Sequence, residues 1–319
     1  MILLLGCVLI VDGCQKKDAG QTLRLAAQAP ETAPKVLAAY MPWFGDKSHM
    51  DVGYSSHDIN ILRHQIDQAT SMGISGFAVD WNGTRRKYTD TSFALMEQAA
   101  KEKNFKVTLL YNESEDASQS TDQAIEDFDK AYSTYIGPDA PDHDAYLTYN
   151  GHPVIFIFPK GGHTDWNRVR QHVNRWASPP LMFQKDGAPQ EMAGAFDGFY
   201  AWVHPGPKGW APDGSDWGKQ YLDNFYKKMK DQYPDKIAIA GAWAGFDDSH
   251  ASWGLNRHID NRCGKTFDDT LQIAREHPYG VTPSFLLIET WNDYEEGTAV
   301  ERLAFKGCQN SNSTGQKGQ

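Results

Sequence analysis

The stretch Phe285-Leu-Leu-Ile-Glu-Thr-Trp-Asn-Asp-Tyr-Glu-Glu-Gly-Thr298 concentrates more chemistry than any other part of the chain. An apolar run, expected to be a buried strand, empties directly into Trp291, Asn292, Asp293, Tyr294, Glu295 and Glu296. Carboxylates in such a place can give and take protons at an acetal oxygen, while indole and phenol faces stack on sugar rings. The plainer alternative is a polar loop with Glu295 or Glu296 near a helix N-terminus. The rest of the chain decides between them.

Similar residues follow other apolar runs. They are Tyr40 with Trp43, Asp80-Trp81-Asn82, Tyr111-Asn112-Glu113, Trp202 with His204, and Trp243 with Phe246-Asp247-Asp248. The runs themselves read as strands over residues 36–41, 76–80, 106–111, 153–158, 181–184, 197–203, 236–242 and 284–290. Amphipathic helical patterns separate them at 59–72, 92–103, 120–136, 165–177, 217–232 and 267–276. In the first of these, Ile59, Leu62, Ile66 and Ala69 recur at three- and four-residue steps, which makes one buried stripe. Apolar strands alternating with helices at this length predict an α/β fold: a single-domain (β/α)8 TIM barrel. A doubly wound open sheet is the competitor, but Met41-Pro-Trp-Phe-Gly45 stands where its glycine-rich fingerprint would follow the first strand. In a barrel, residues just past every strand meet at one face. Trp43 or Trp243 could instead plug the barrel mouth, and Asp247 could cap a helix.

The 319 residues carry a formal charge of -10 and 12% aromatic side chains, ten of them Trp. That balance argues against nucleic acid or an anionic membrane as partner and suits a neutral glycan. Met1–Ile10 is apolar but too short to span a bilayer. It resembles a secretory leader, with Cys14 as a candidate lipidation site and 1–35 as leader and tether. A secreted, periplasmic or lipid-anchored protein is expected, with a folded unit at 36–308 and a disordered tail at 309–319. Cys263 and Cys308 could form one bridge or remain two unrelated thiols. Metal-ligand spacing is absent, so no metal is expected.

Four segments carry a family resemblance: Ala39–Gly45, Gly73–Trp81, Gly245–Ser249 and Thr290–Thr298. Together they resemble the glycoside hydrolase group containing family 71 (α-1,3-glucanases) and family 99 (endo-acting α-mannosidases and α-mannanases). Asn292-Asp293-Tyr294 is like the former, Glu296-Gly297-Thr298 like the latter. The resemblance implies an endo-acting, cofactor-free, monomeric α-glycosidase for a mannan- or glucan-type polysaccharide. Its two working carboxylates would be Asp293 and Glu296, with Glu296 as general acid. On the family 71 pattern Asp293 would activate water in an inverting reaction; on the family 99 pattern, where a longer Glu is usual, it would take the proton from the sugar's own 2-hydroxyl in a retaining one. Glu295 is a bystander on either pattern.

Residues three apart on a helical turn have Cβ atoms about 5–6 Å from each other. Retaining glycosidases hold their carboxyls about 5–5.5 Å apart and inverting ones about 6.5–9.5 Å. Side-chain direction could put Asp293 and Glu296 in either class. Candidate sugar contacts are Tyr40, Trp43, Asp80, Trp81, Asn112, Glu113, Trp202, His204, Trp243, Asp247, Asp248, Trp291, Asn292 and Tyr294. Two rival readings are a catalytically inert glycan-binding barrel and a metal-dependent hydrolase built from Asp80, His204 and Asp247.

Overall fold

The computed structural model describes residues 35–205 and 216–301. Its strands are β1 Lys35–Tyr40, β2 Gly76–Trp81, β3 Lys106–Asn112 and β4 His152–Phe158, followed by β5 Leu181–Lys185, β6 Gly198–Tyr200, β7 Ile237–Ala242 and β8 Phe285–Ile288. Each pairs in parallel with its neighbours, β3 with β4 included, and β8 pairs with both β7 and β1. The sheet is therefore closed, which excludes the doubly wound alternative. It is a single-domain (β/α)8 barrel.

The strand interiors are buried almost throughout, as expected where helices cover one face and a packed interior the other. Most strand ends fall within a residue of expectation. β6 and β8 stop earlier because other acceptors take over their ladder. The Tyr221 hydroxyl accepts from the Trp202 amide at 2.9 Å, and the Glu289 carboxyl accepts from Val203 N. Past β8, Thr290 N turns to Thr298 O at 3.2 Å, inside its own loop.

The helices are α1 Ile59–Ser71, α2 Lys87–Lys103, α3 Ser120–Ala131, α4 Trp166–Val173, α5 Lys219–Gln232 and α6 Lys265–Arg275. α1 buries Leu62, Ile66 and Ala69, the predicted stripe, and is capped by the Asp58 side chain accepting from Asn60 N at 2.9 Å. α2 starts well before the expected residue 92, with no side-chain cap to signal it. α3 runs on into a single π turn, Tyr132–Ile136. Between β5 and β6 lies only a short 3-10 turn, Ala193–Ala195. At the base of the barrel, Tyr149 packs edge-on against Phe285, with ring centres 5.0 Å apart.

The expected leader, tether and Cys14, the tail at 309–319 and Cys308 all lie outside the described residues. Cys263 is disulfide-bonded. Among the described residues, no helix is long and apolar enough to cross a membrane.

Candidate active site

A cleft of about 550 Å³ opens at the C-terminal ends of the strands, and both Asp293 and Glu296 line it. The loop after β8 is closed on itself before it presents them. The Thr290 and Thr298 hydroxyls meet at 3.0 Å, Thr290 Oγ1 accepts from Asp293 N at 2.7 Å, and Asp293 O accepts from Thr298 N at 3.0 Å. Gly297 has φ +63, and a Cβ there would lie 3.1 Å from the Asp247 amide nitrogen, so glycine suits this bend twice over. Asn292 clasps the opposite side of the barrel seam. Its Oδ1 accepts from Met41 N at 2.7 Å and its Nδ2 donates to Met41 O at 2.9 Å.

Within this frame Asp293 is 3% exposed, and its Oδ1 accepts the Glu296 amide at 2.9 Å. Glu296 is half-buried, and its Oε1 accepts from Trp253 Nε1 at 2.9 Å. Neither carboxylate makes an ion pair with Lys or Arg among the described residues. Burial pushes the Asp293 carboxyl well above the usual range, and the charge of Glu296 adds to the effect. Burial raises Glu296 as well, opposed by the Trp253 indole and by Arg257. Two carboxyls on one short loop oppose each other's ionisation, so each holds its proton more tightly than an isolated carboxyl would.

A third acid faces the same cleft. Asp80 is 5% exposed; its Oδ2 accepts from Asn112 Nδ2, and its Oδ1 is buried with no partner. Burial pushes it up to about 7, against the opposing charge of Lys160 and the Asn112 hydrogen bond. A hydrogen-bond donor entering the cleft would satisfy that orphan oxygen.

Of the remaining expected contacts, Trp43 and Trp202 also line the cleft. The others lie elsewhere. Tyr40, Trp81, Trp243 and Trp291 are fully buried; the first three bond to Gln65, Asp90 and the Trp217 carbonyl, and Trp291 packs on Phe77. Tyr294 bonds to Glu301 at 2.6 Å, and His204 stacks on Tyr221. Glu113 accepts amides of Lys160, Gly161, Gly162 and Thr164 at 2.8–3.2 Å and so shapes the loop after β4. Burial would raise it, but these hydrogen bonds outweigh that and hold it below its ordinary value. Asp247 caps the turn at 248–250, and Asp248 gathers Leu255 N, Arg257 N and Arg257 Nε into the loop after β7.

The metal-site reading needs Asp80, His204 and Asp247 together. His204 and Asp247 do not line the cleft that holds Asp80. Among the described residues no three His, Cys, Asp or Glu are grouped to hold a metal ion.

Several lining residues carry no signal in the sequence. Trp253, 43% exposed, belongs to the loop after β7 and approaches both Trp43 and His49 edge-on. His49 stacks on Trp43 at 4.9 Å and bonds to Glu295 Oε2 at 2.9 Å. Glu295 thus ties the acid loop to the loop after β1, which accounts for a buried carboxylate that faces no sugar. Arg85 and Arg86 line the cleft from the loop after β2 and Lys87 from the start of α2, Phe158 from the end of β4 and Lys160 from the loop beyond it. Gly83 admits the first of these loops: with φ +79, any Cβ would fall 2.4 Å from the Asp127 carboxylate.

Comparison with known proteins was made against this geometry. Residues 36–317 match the model of glycosyl hydrolase family 71. A mutanase of Penicillium rubens is 25% identical over 272 residues, covering 83% of this chain and 56% of the relative. The chain therefore spans about half the length of that curated relative. Among solved structures, a GH99 endo-α-mannosidase from Bacteroides thetaiotaomicron, in complex with bis-tris-propane, superposes with a TM-score of 0.65 at 22% identity. It covers 86% of this chain and 88% of its own. A glycoside hydrolase-like protein superposes with a TM-score of 0.60 at 16% identity, covering 88% and 91%. At these identities the superpositions speak to the barrel alone.

Proposed function

We propose that this chain, which belongs to glycosyl hydrolase family 71, hydrolyses α-glycosidic bonds within a gluco- or mannopolysaccharide, without a cofactor, using Asp293 and Glu296. One observation carries the reading: a buried and a half-buried carboxyl, neither in an ion pair among the described residues, share a cleft with Trp43, Trp202 and Trp253. The α-linkage rests on the family and on the mutanase relative, and an endo mode suits a cleft lined from several loops.

Glu296 is the general acid. It is the more exposed of the two, and its carboxyl sits against the Trp253 indole, where a leaving sugar would stack. Asp293 is the base that takes a proton from water or from the sugar itself. In the empty cleft the deeper burial of Asp293 favours the proton there, while Trp253 and Arg257 favour charge on Glu296. Substrate must reverse that order. A hydroxyl or water donating to Asp293 stabilises its anion, and exclusion of water from Glu296 raises its proton affinity. Export from the cytoplasm agrees with the disulfide at Cys263, since such bridges persist in oxidising compartments.

The test is hydrolysis of a panel of α-glucans and α-mannans, with NMR following the product anomer. Glu296→Gln should keep activity on glycosyl fluorides, whose leaving group needs no protonation, while Asp293→Asn should lose it. The reverse pattern would exchange the two roles. Binding by calorimetry with no new reducing ends would replace the enzyme with a glycan-binding barrel.

A further inference from the structure

The proposed reaction gives Asp293 and Glu296 their parts and leaves Glu295, the third acid of the same loop, without one. Its side chain is only 5% exposed and does not line the cleft. It reaches across to the loop after β1, where Oε1 accepts from Met50 N at 3.0 Å and Oε2 meets His49 Nδ1 at 2.9 Å. His49 does line the cleft, with 21% of its side chain exposed, beside Asp80, Asp293 and Glu296. Its ring lies nearly flat on Trp43, the centres 4.9 Å apart, and Trp253 meets it edge-on at 6.1 Å. Trp253 is also the indole that donates to Glu296, so His49 stands one side chain away from that acid. Two turns, Asp46 N to Trp43 O at 3.0 Å and His49 N to Asp46 O at 3.1 Å, hold the backbone that carries the ring.

These contacts decide which edge of the imidazole is offered. A backbone amide can only donate and a carboxylate can only accept. Met50 N therefore takes one Glu295 oxygen, and the other calls for a hydrogen on His49 Nδ1. Nε2 is then the bare nitrogen, an acceptor, and it has no hydrogen-bond partner among the described residues. With Nδ1 turned to a residue outside the cleft, Nε2 is the edge left for whatever enters. A sugar presents hydroxyls, which donate. We propose that His49 Nε2 accepts a hydroxyl of the bound glycan, and that Glu295 is the positioning residue that fixes the tautomer able to do so. The pair would read one hydroxyl of the substrate and discriminate against a sugar that lacks it or carries an acceptor-only group there. This inference rests on the glycosidase reading and adds a specificity contact to it.

Glu295→Gln makes the sharpest test. Met50 N still needs an acceptor, so the amide oxygen must face it and the amide NH2 must face His49 Nδ1, which moves the ring hydrogen to Nε2. Imidazole 15N NMR at about pH 8.5, above the ordinary imidazole range, should show Nδ1–H in the native protein and Nε2–H in the variant, with His49→Phe assigning the resonance. Calorimetry and kcat/KM on monodeoxy and monodeoxyfluoro derivatives of α-linked gluco- and manno-oligosaccharides supply the second readout. Removing one particular hydroxyl should weaken native binding about 3- to 10-fold, and fluorine at that position, which cannot donate, should bring the same loss. His49→Phe keeps a ring on Trp43 and should abolish that penalty; it reports even if Glu295→Gln fails to fold. In Glu295→Gln the fluoro derivative should bind about threefold better than the deoxy one, since fluorine accepts weakly from Nε2–H. A native ring with hydrogen on Nε2, or on both nitrogens, overturns the inference. So does a panel in which no hydroxyl's penalty depends on His49, and cleavage of the same oligosaccharides then leaves the glycosidase standing. A His49-dependent penalty in binding without cleavage keeps the inference and removes the glycosidase. Oligosaccharides neither bound nor cleaved remove both.

Discussion

The two ends of the cleft are built by opposite means. Around β7, β8 and β1 the backbone itself is tied: Asn292 to Met41, Glu295 to His49 and Met50, Asp248 to Leu255 and Arg257. The acids emerge there from a loop with almost no freedom. Around β2 to β5 the backbone is also held, by Glu113 and by the packing of Gly83; there Arg85 reaches the Asp127 carboxylate at 3.5 Å, while Arg86, Lys87 and Lys160 line the cleft with no ion pair among the described residues. Proton transfer requires geometry held to a fraction of an ångström. Attraction of a charged or hydrated chain tolerates a flexible ammonium. On the proposed reading, the contrast sets a rigid acid-bearing end against a more mobile cationic one.

The largest effect expected is at the first end. Asp293→Asn and Glu296→Gln should each lower kcat on polysaccharide by about 10²–10⁴ while leaving the melting temperature unchanged or higher, because neither carboxyl makes an ion pair with Lys or Arg among the described residues. A large loss of stability in both would make the pair structural and erase the contrast.

Asp80 stands between the two ends and tests where one gives way to the other. Asp80→Asn should reduce kcat/KM about 10- to 100-fold, an effect of about 1.4–2.7 kcal/mol, mainly through KM if its orphan oxygen holds a sugar hydroxyl. In the native protein its raised pKa means that the folded state binds a proton the unfolded state has released. Stability from this group is present below the unfolded value of about 3.9 and is lost as pH rises through about 7. Asp80→Asn should therefore flatten the decline in melting temperature across that window, and an unchanged slope would count against a buried, unsatisfied acid.

Trp253→Phe keeps an aromatic face and removes only the 2.9 Å hydrogen bond to Glu296. That bond favours the ionised acid, so its loss should raise the Glu296 pKa and move the alkaline limb of the kcat profile to higher pH. A drop of about fivefold in kcat/KM should accompany it, near 1 kcal/mol for one charge-assisted bond. An alkaline limb that stays in place would detach Trp253 from the acid.

The smallest effect on catalysis is expected from Gly83→Ala. It would strain a residue at φ +79 and press on the Asp127 carboxylate, costing about 1–3 kcal/mol of stability and displacing the loop that carries Arg85–Lys87. Turnover at saturating substrate should hold while KM rises. Loss of kcat instead would show that the two ends are mechanically coupled.

The barrel was legible because strands buried on both sides leave an unmistakable apolar run, and because α1 and α5 keep one stripe facing the sheet. The start of α2 was not, since Lys87-Tyr-Thr-Asp carries neither a cap nor an apolar period. Of the cleft-lining residues, Asp80 and Asn112 were legible from strand-end position, whereas the choice of Asp293 and Glu296 over Glu295 came from the family resemblance. The indoles divided less cleanly: at the same strand ends Trp43 and Trp202 reach the cleft, whereas Trp81, Trp243 and Trp291 turn into the core. Period-two alternation stops where a strand does, so position could not tell them apart. His49 and Lys160 sit within loops whose path depends on distant partners, Glu295 and Glu113, and nothing local in the sequence announces them; Trp253 is carried by a loop that Asp248 holds locally.

The Asn292 clasp has a temporal meaning. It joins the first loop of the barrel to the last across 251 positions of chain, so neither rim is finished until the final strand arrives. A nascent chain emerging from the ribosome holds its cations and most of its indoles long before it owns an acid pair. The frame that presents Asp293 and Glu296 is thus completed only when the ring closes, not gradually along the barrel.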